Sequence, residues 1–318
     1  MNKIILLSLS VSIVVVSIFF IFLMDAYITI YDPNWHGIIN INKESVIDQK
    51  IFLLGSSSAY AVNASFVNEN LLKNNHDYEF YNLADMSDKP KKRLNSIQNI
   101  LNHNPSVILY GVGIYDFEKY KTKTSSLAID DYILEPNIFF KNTFEDLIQN
   151  NLNEQFPLSP KDRILTFLKY VLRGPDYHFH PFISFSPTPI NDFSTIQKLY
   201  GEPRTINSID MSDNSDQIHA LNTIISKAKS QNTKVILFTN PNSILLNQKI
   251  DKNELSNFEI SIQKFAEKND VPIYFLHDEY SEMNIWRDSL HIAIDPDAII
   301  FSHDISKILL KELKNSAI

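Results

Sequence analysis

Two short stretches carry residue types that could do nucleophilic and acid-base chemistry, and they stand at opposite ends of the chain. The first is Ile51 to Tyr60, IFLLGSSSAY, in which four apolar residues are closed by a Gly and three serines. A buried strand that stops at a Gly, with serines where a helix would begin, sets a hydroxyl at the carboxyl edge of a sheet, where open α/β sheets bind ligands. The N–H groups at the start of the next helix would face a developing oxyanion there. Taken alone, the same letters also describe a Ser-rich N-cap and turn. The second stretch is Trp286 to Ile294, WRDSLHIAI. Asp288 and His291 stand three residues apart, a spacing that lets a carboxylate orient one imidazole nitrogen while the other faces a nucleophile. In isolation, D-x-x-H is more often a surface His beside an Asp. Its place just before the last expected helix, in a chain whose first strand ends in Gly-x-Ser, points instead to a general base and its orienter.

The elements that must position these groups follow an alternating pattern. Short apolar runs at Lys50 to Leu54, Tyr78 to Leu83, Ser106 to Tyr110, Lys234 to Pro241 and Val271 to Leu276 predict five strands. Helical spacing predicts helices over Ser65 to Lys73, Pro90 to Leu101, the run containing Ile218, Leu221, Ile225 and Ala228, the run from Leu255 to Ala266, and Pro296 to Leu313. Strands separated by helices argue for parallel β-α-β units. The expected fold is therefore α/β: a doubly wound, flavodoxin-like five-stranded parallel sheet in three α/β/α layers.

This framework is interrupted and preceded by other material. Residues 117–215 form an insertion of mixed helix and loop, with helices expected at Thr143 to Leu152 and Pro160 to Leu172 and an aromatic, Pro-rich run YHFHPFISFSPTP. Its aromatics suit stacking against sugars or acyl chains in a lid, or a small core of the insertion's own. His178 and His180 have the spacing of two metal ligands on a strand, but no third ligand candidate lies near, so no metal is expected. Before the framework, Ile4 to Met24 contains no charged residue and is long enough to cross a bilayer as one helix. Lys3 before it and Asp25 after it favour a cytoplasmic amino terminus, and the absence of a small-x-small site favours an uncleaved anchor over a signal peptide. The expected organisation is an anchor at 1–24, a linker at 25–49, half of the α/β domain at 50–116, the insertion at 117–215 and the other half at 216–318. The protein would be single-pass, with its domain outside the cytoplasm.

Composition removes several classes of function. The formal net charge of −8 gives no electrostatic support to a nucleic-acid partner. The chain has no Cys, which excludes disulfides, thiolate catalysis and Cys-ligated metals. No Gly-x-Gly-x-x-Gly or P-loop follows any expected strand, so no nucleotide and no other cofactor is expected.

With Gly55, Ser56 and Ser57 after the first strand, and Asp288 and His291 before the last helix, the chain resembles the SGNH or GDSL-type hydrolases. The likeness is to the membrane-anchored branch that includes the alginate-acetylation proteins and the D-alanine-transfer protein of Gram-positive bacteria. It covers about 50–117 and 216–313 and leaves the insertion uncovered. It implies that Ser57 is the nucleophile, with Ser56 and Ser58 as its neighbours, and that His291 and Asp288 complete a triad. The family's second block, a Gly whose N–H holds the oxyanion, falls on YNLADMSD, where Asn82 and Leu83 lead in and Ser87 replaces the Gly. The third block, Gly-x-Asn-Asp, is here Gly113, Ile114, Tyr115 and Asp116, so a Tyr stands in place of the Asn that donates to the oxyanion. Ser87, Tyr115 and Asn82 are the candidate oxyanion residues. A Tyr hydroxyl donates, but it reaches further than an Asn amide.

The implied function is a membrane-anchored, extracytoplasmic serine esterase or O-acyltransferase acting on an acylated surface glycan or envelope polymer. A membrane-bound acyltransferase is a further expected partner. The alternative is a non-catalytic envelope protein that keeps the fold to bind glycan or to scaffold such an acyltransferase.

Overall fold

The computed structural model describes residues 49–85, 87–119 and 188–314, together with helical positions 12, 16, 17, 19 and 20. The chain divides into two compact units, Met1–Asn40 with Ser126–Tyr177 and Ile41–Ser125 with His178–Ile318. The sheet belongs to the second. Its strands are β1 (Lys50–Leu54), β2 (Glu79–Asn82), β3 (Val107–Val112), β4 (Lys234–Thr239) and β5 (Ile273–Tyr274), all parallel, in the order β2-β1-β3-β4-β5. β1 sits inside the sheet, and Ile51 to Leu54 are fully buried, as a strand covered on both faces requires.

The helices are α1 (Ala64–Lys73), α2 (Pro90–Leu94), α3 (Ile97–Leu101), α4 (Phe193–Tyr200), α5 (Asp216–Ser230), α6 (Ile244–Asn247), α7 (Lys252–Lys268) and α8 (Ile300–Lys314). α8 packs against α1, and its Phe301, Ile305 and Leu309 join Ile51, Leu53, Leu109 and Phe238 in one apolar core. Each such side chain contributes about 1.5–3 kcal/mol relative to exposure. α2 and α3 pack against α5, which also covers β4.

Three features depart from expectation. The helix expected over Pro90 to Leu101 is two short ones: the Ser96 hydroxyl donates to the Arg93 carbonyl at 3.2 Å, a local bond that competes with the helical ladder. α4 lies within the expected insertion and was not anticipated, although Asp192 caps its start by accepting from Thr195 N and Gly201 follows its end. The last helix is preceded by a separate 3-10 turn at Pro296–Ala298. The helices expected at 143–152 and 160–172, and His178 and His180, lie outside the described residues, as does most of the apolar run 4–24. No helix among the described residues is long and apolar enough to cross a membrane.

The register aligns the carboxyl ends of the strands. Leu53 pairs with Asn82, Leu54 with Tyr110 and Val112 with Thr239. Gly55 to Ser57, residues 83–85 and 87–88, Gly113 to Phe117 and Asn240 therefore leave the sheet along one edge.

Candidate active site

The turn that carries Ser57 is built by Gly55. Its φ is +143°, and a Cβ there would lie 2.9 Å from the Gly111 carbonyl oxygen, so only Gly lets the end of β1 approach β3 this closely. Ser56 is extended, and Ser57–Ala59 form a single 3-10 turn in which Ala59 N donates to Ser56 O at 2.9 Å and Tyr60 N to Ser57 O at 3.1 Å. Ser57 opens this turn, so its N–H lies among the helix-start donors that no helical carbonyl takes.

The loop that carries His291 is held from beneath. Trp286 is fully buried and its indole N–H donates to Tyr280 O at 3.2 Å. Trp286 bridges Ile292, and Arg287 N donates to His291 O at 2.9 Å, which closes the loop on itself. Asp288 Oδ1 accepts the backbone N–H groups of Leu290 at 2.9 Å and His291 at 3.0 Å, so the carboxylate is aimed before the imidazole meets it. A second strap comes from 188–191: Thr188 N donates to Ile294 O, Ile294 N to Thr188 Oγ1, Asn191 N to Trp286 O and Asn191 Nδ2 to Arg287 O.

These two loops meet. His291 Nδ1 lies 2.8 and 2.9 Å from the Asp288 carboxylate oxygens, and His291 Nε2 lies 2.9 Å from Ser57 Oγ. With Nδ1–H donating to the carboxylate, Nε2 is left as the acceptor for the Ser57 hydroxyl. Burial pushes the Asp288 carboxyl up. The hydrogen bond and charge of His291, with the Leu290 N–H and Arg287, more than offset this and hold it below its usual value. The carboxylate therefore stays ionised beside the imidazole.

The loops after β2 and β3 form the neighbouring wall. Asp85 N donates to Gly55 O at 2.9 Å, extending the β1-β2 ladder past the end of β2. Arg93 is buried and donates to Asp88 Oδ2 at 2.7 Å and to Leu83 O at 3.0 Å, pinning that loop. Even so, burial raises the Asp88 carboxyl to about 6 against the pull of Arg93. Ser87 has φ +53°, the left-handed conformation that explains why a Gly is expected there. Asp116 Oδ2 accepts from Gly113 N at 2.7 Å, and burial raises its carboxyl to about 7.

Of the expected site residues, Ser57, His291 and Asp288 are brought together, and Ser87 is exposed on the adjoining loop. Asn82 is corrected: its Nδ2 donates to Ala59 O at 3.0 Å and Val62 O at 2.9 Å, and its Oδ1 accepts from Ala84 N at 3.0 Å. With both amide hydrogens committed, it braces the Ser57 turn and has none left for an oxyanion. Tyr115, by contrast, keeps an uncommitted hydroxyl. Its hydroxyl is enclosed without a hydrogen-bond partner, Arg204 lies over its ring at 5.2 Å, and burial raises it to about 12. Asn240 was not anticipated. It lies just past β4, is buried, and donates from Nδ2 to Ser56 Oγ at 3.3 Å. A polar residue at the carboxyl edge of a parallel strand was the available signal.

No family model matches the chain, and neither does any curated protein. Among solved structures it is similar to esterases and to a GDSL-like lipase. One is the psychrotrophic esterase EstA of a Pseudoalteromonas species, at 12% identity over 84% of this chain and 99% of that one, with a TM-score of 0.42. Another is the acetyl xylan esterase AlAXEase, at 14% identity over 83% and 98%, TM-score 0.42. A third is the GDSL-like lipase of Bacteroides thetaiotaomicron, at 10% identity over 90% and 99%, TM-score 0.42. At such identities, function has to be argued from the side chains.

Proposed function

We propose that the protein is a serine ester hydrolase or O-acyltransferase working through Ser57, His291 and Asp288. The observation that carries this is the continuous relay from Ser57 Oγ through both ring nitrogens of His291 to Asp288, with every link at 2.8–2.9 Å. His291 Nε2 takes the Ser57 proton as Oγ attacks an ester carbonyl, and Asp288 stabilises the imidazolium that forms. The N–H of Ser57 and the backbone of the loop at Ser87 are the donors proposed for the oxyanion. His291 then returns its proton to the leaving alkoxide. Water or a sugar hydroxyl accepts the acyl group in the second half.

We further propose that the domain is tethered outside the membrane by the run 4–24 and acts on acyl esters of a surface glycan or envelope polymer. In support, the run is uncharged and of spanning length, and Val16, Phe19 and Phe20 within it are helical and exposed. The non-catalytic reading draws its support from Tyr115, whose hydroxyl is enclosed and reaches further than the Asn amide of the third block.

A fluorophosphonate probe decides between them, because it needs both an activated serine and an oxyanion site. The parent is expected to label, and folded Ser57→Ala and His291→Ala variants to lose labelling by about a thousandfold or more. Labelling that survives either substitution overturns the proposed triad. A folded parent that neither labels nor hydrolyses small acyl esters overturns the enzyme in favour of the binding protein.

A further inference from the structure

Asn240 continues β4 by donating its N–H to Val112 O at 2.8 Å, so its side chain falls on the same face as that of Phe238, two residues earlier. From there it crosses β3 toward the end of β1. Gly111 makes the crossing possible: a Cβ at Gly111 would lie 2.6 Å from Asn240 Oδ1 and 2.6 Å from Phe238 Cζ. The far end of the amide meets Ser56 Oγ at 3.3 Å. Ser56 is the residue before the nucleophile, and its carbonyl closes the 3-10 turn by accepting from Ala59 N at 2.9 Å.

The other end of the amide is unsatisfied, since Oδ1 is buried without a hydrogen-bond partner. Exchanging the amide's O and N would still leave one end on Ser56, whose hydroxyl can donate as well as accept. A buried, half-satisfied amide in a slot walled by Gly111 and Phe238 is a poor choice for stability, where an apolar side chain would serve better. Its position demands another purpose.

We propose that Asn240 is a positioning residue for the nucleophile. Acting through Ser56, it fixes the turn so that Ser57 Oγ stays on His291 and in line with the ester carbonyl. This rests on Ser57 being the nucleophile, as proposed above. Misplacement of a reacting atom by about 1 Å can cost about a hundredfold in rate, whereas substrate affinity has no direct stake in this contact.

The test uses the full chain and Asn240→Ala, Ser56→Ala and the double variant, with a small acyl ester as substrate. Each single variant is expected to lower kcat by about tenfold to a hundredfold with KM within about twofold, and the double variant to be no worse than the poorer single one. Losses that multiply in the double variant would show two independent effects and overturn the proposal. Hydrogen exchange supplies a readout free of catalysis: in Asn240→Ala the amides of Ala59 and Tyr60 are expected to exchange about tenfold faster, with those of β4 unchanged. Unchanged exchange at that turn overturns the positioning role whatever the activity. If the parent shows no His291-dependent turnover, the proposed reaction fails, and the exchange result still decides what Asn240 does.

Discussion

Two polar clusters share the carboxyl edge of the sheet, and they are built on opposite terms. The relay of Ser57, His291 and Asp288 is only partly buried, its carboxylate is surrounded by donors, and Asp288 is held below its usual value. The wall formed by Asp88, Arg93, Tyr110 and Asp116 is almost fully enclosed, its two carboxyls are raised to about 6 and about 7, and the Tyr110 hydroxyl has no partner. Perturbed ionisation is often used to find active sites, yet here the two raised carboxyls lie in the wall. Burial raises them, and burial belongs to the part that must not move. The relay keeps Asp288 lowered because His291, the Leu290 N–H and Arg287 compensate its charge, which is what a group that must stay ionised needs.

The sharpest way to break this comparison is to remove one partner from each cluster. Arg93→Met strips the buried Asp88 of its cation and is expected to lower unfolding free energy in urea by about 3–5 kcal/mol. Ser57→Ala removes a half-exposed hydroxyl and is expected to change it by less than about 1 kcal/mol. Equal losses would mean that the relay is as structural as the wall.

A smaller effect separates the clusters by pH. The Asp116 carboxyl titrates at about 7 in the folded protein and from 3.8 in the unfolded chain. The folded state therefore binds the proton more tightly, and this contribution to stability is full below 3.8 and lost as pH rises through about 7. Asp288, being lowered, behaves in reverse: its contribution is present above the ordinary carboxylate range and is lost as pH falls. Asp116→Asn keeps an acceptor for Gly113 N but has nothing to ionise. Its stability relative to the parent is expected to increase steadily between those two pH values in denaturant titrations, and a constant difference would remove the buried carboxyl from the account.

The smallest expected effect is at Ser87. Gly would relieve a left-handed φ that costs other residues about 1–2 kcal/mol, offset by about 0.5–1 kcal/mol of chain entropy. Ser87→Gly is therefore expected to alter stability by no more than about 1.5 kcal/mol and to label with the fluorophosphonate probe at an unchanged rate. A tenfold loss of labelling would show that the Ser87 side chain, and not only its backbone, takes part.

Much of the framework was legible in the chain because parallel strands buried on both faces read as unbroken apolar runs, and β1 was delimited to the residue. The break between α2 and α3 was not legible, since it depends on Arg93 turning inward to Asp88 and on one Ser hydroxyl. For the site, local spacing was enough to mark Asp288 with His291, because the carboxylate, the two N–H groups it accepts and the imidazole all lie within four residues. Asn82 was misjudged for the opposite reason. Whether an amide is free to donate depends on carbonyls far away in sequence, such as those of Ala59 and Val62.

The amino-acid sequence by itself determined the alternation that makes an α/β sheet, the serines at the end of β1 and the self-contained Asp288–His291 loop, all of which follow from periodicity and short-range bonding. Only the tertiary structure decided that Ser57 meets His291 across 234 residues of chain, that Asn82 is a brace, and that Asn240 reaches over Gly111 to Ser56. Those outcomes depend on which strand ends share an edge and on where a missing Cβ leaves room, and neither quantity exists until the strands have paired.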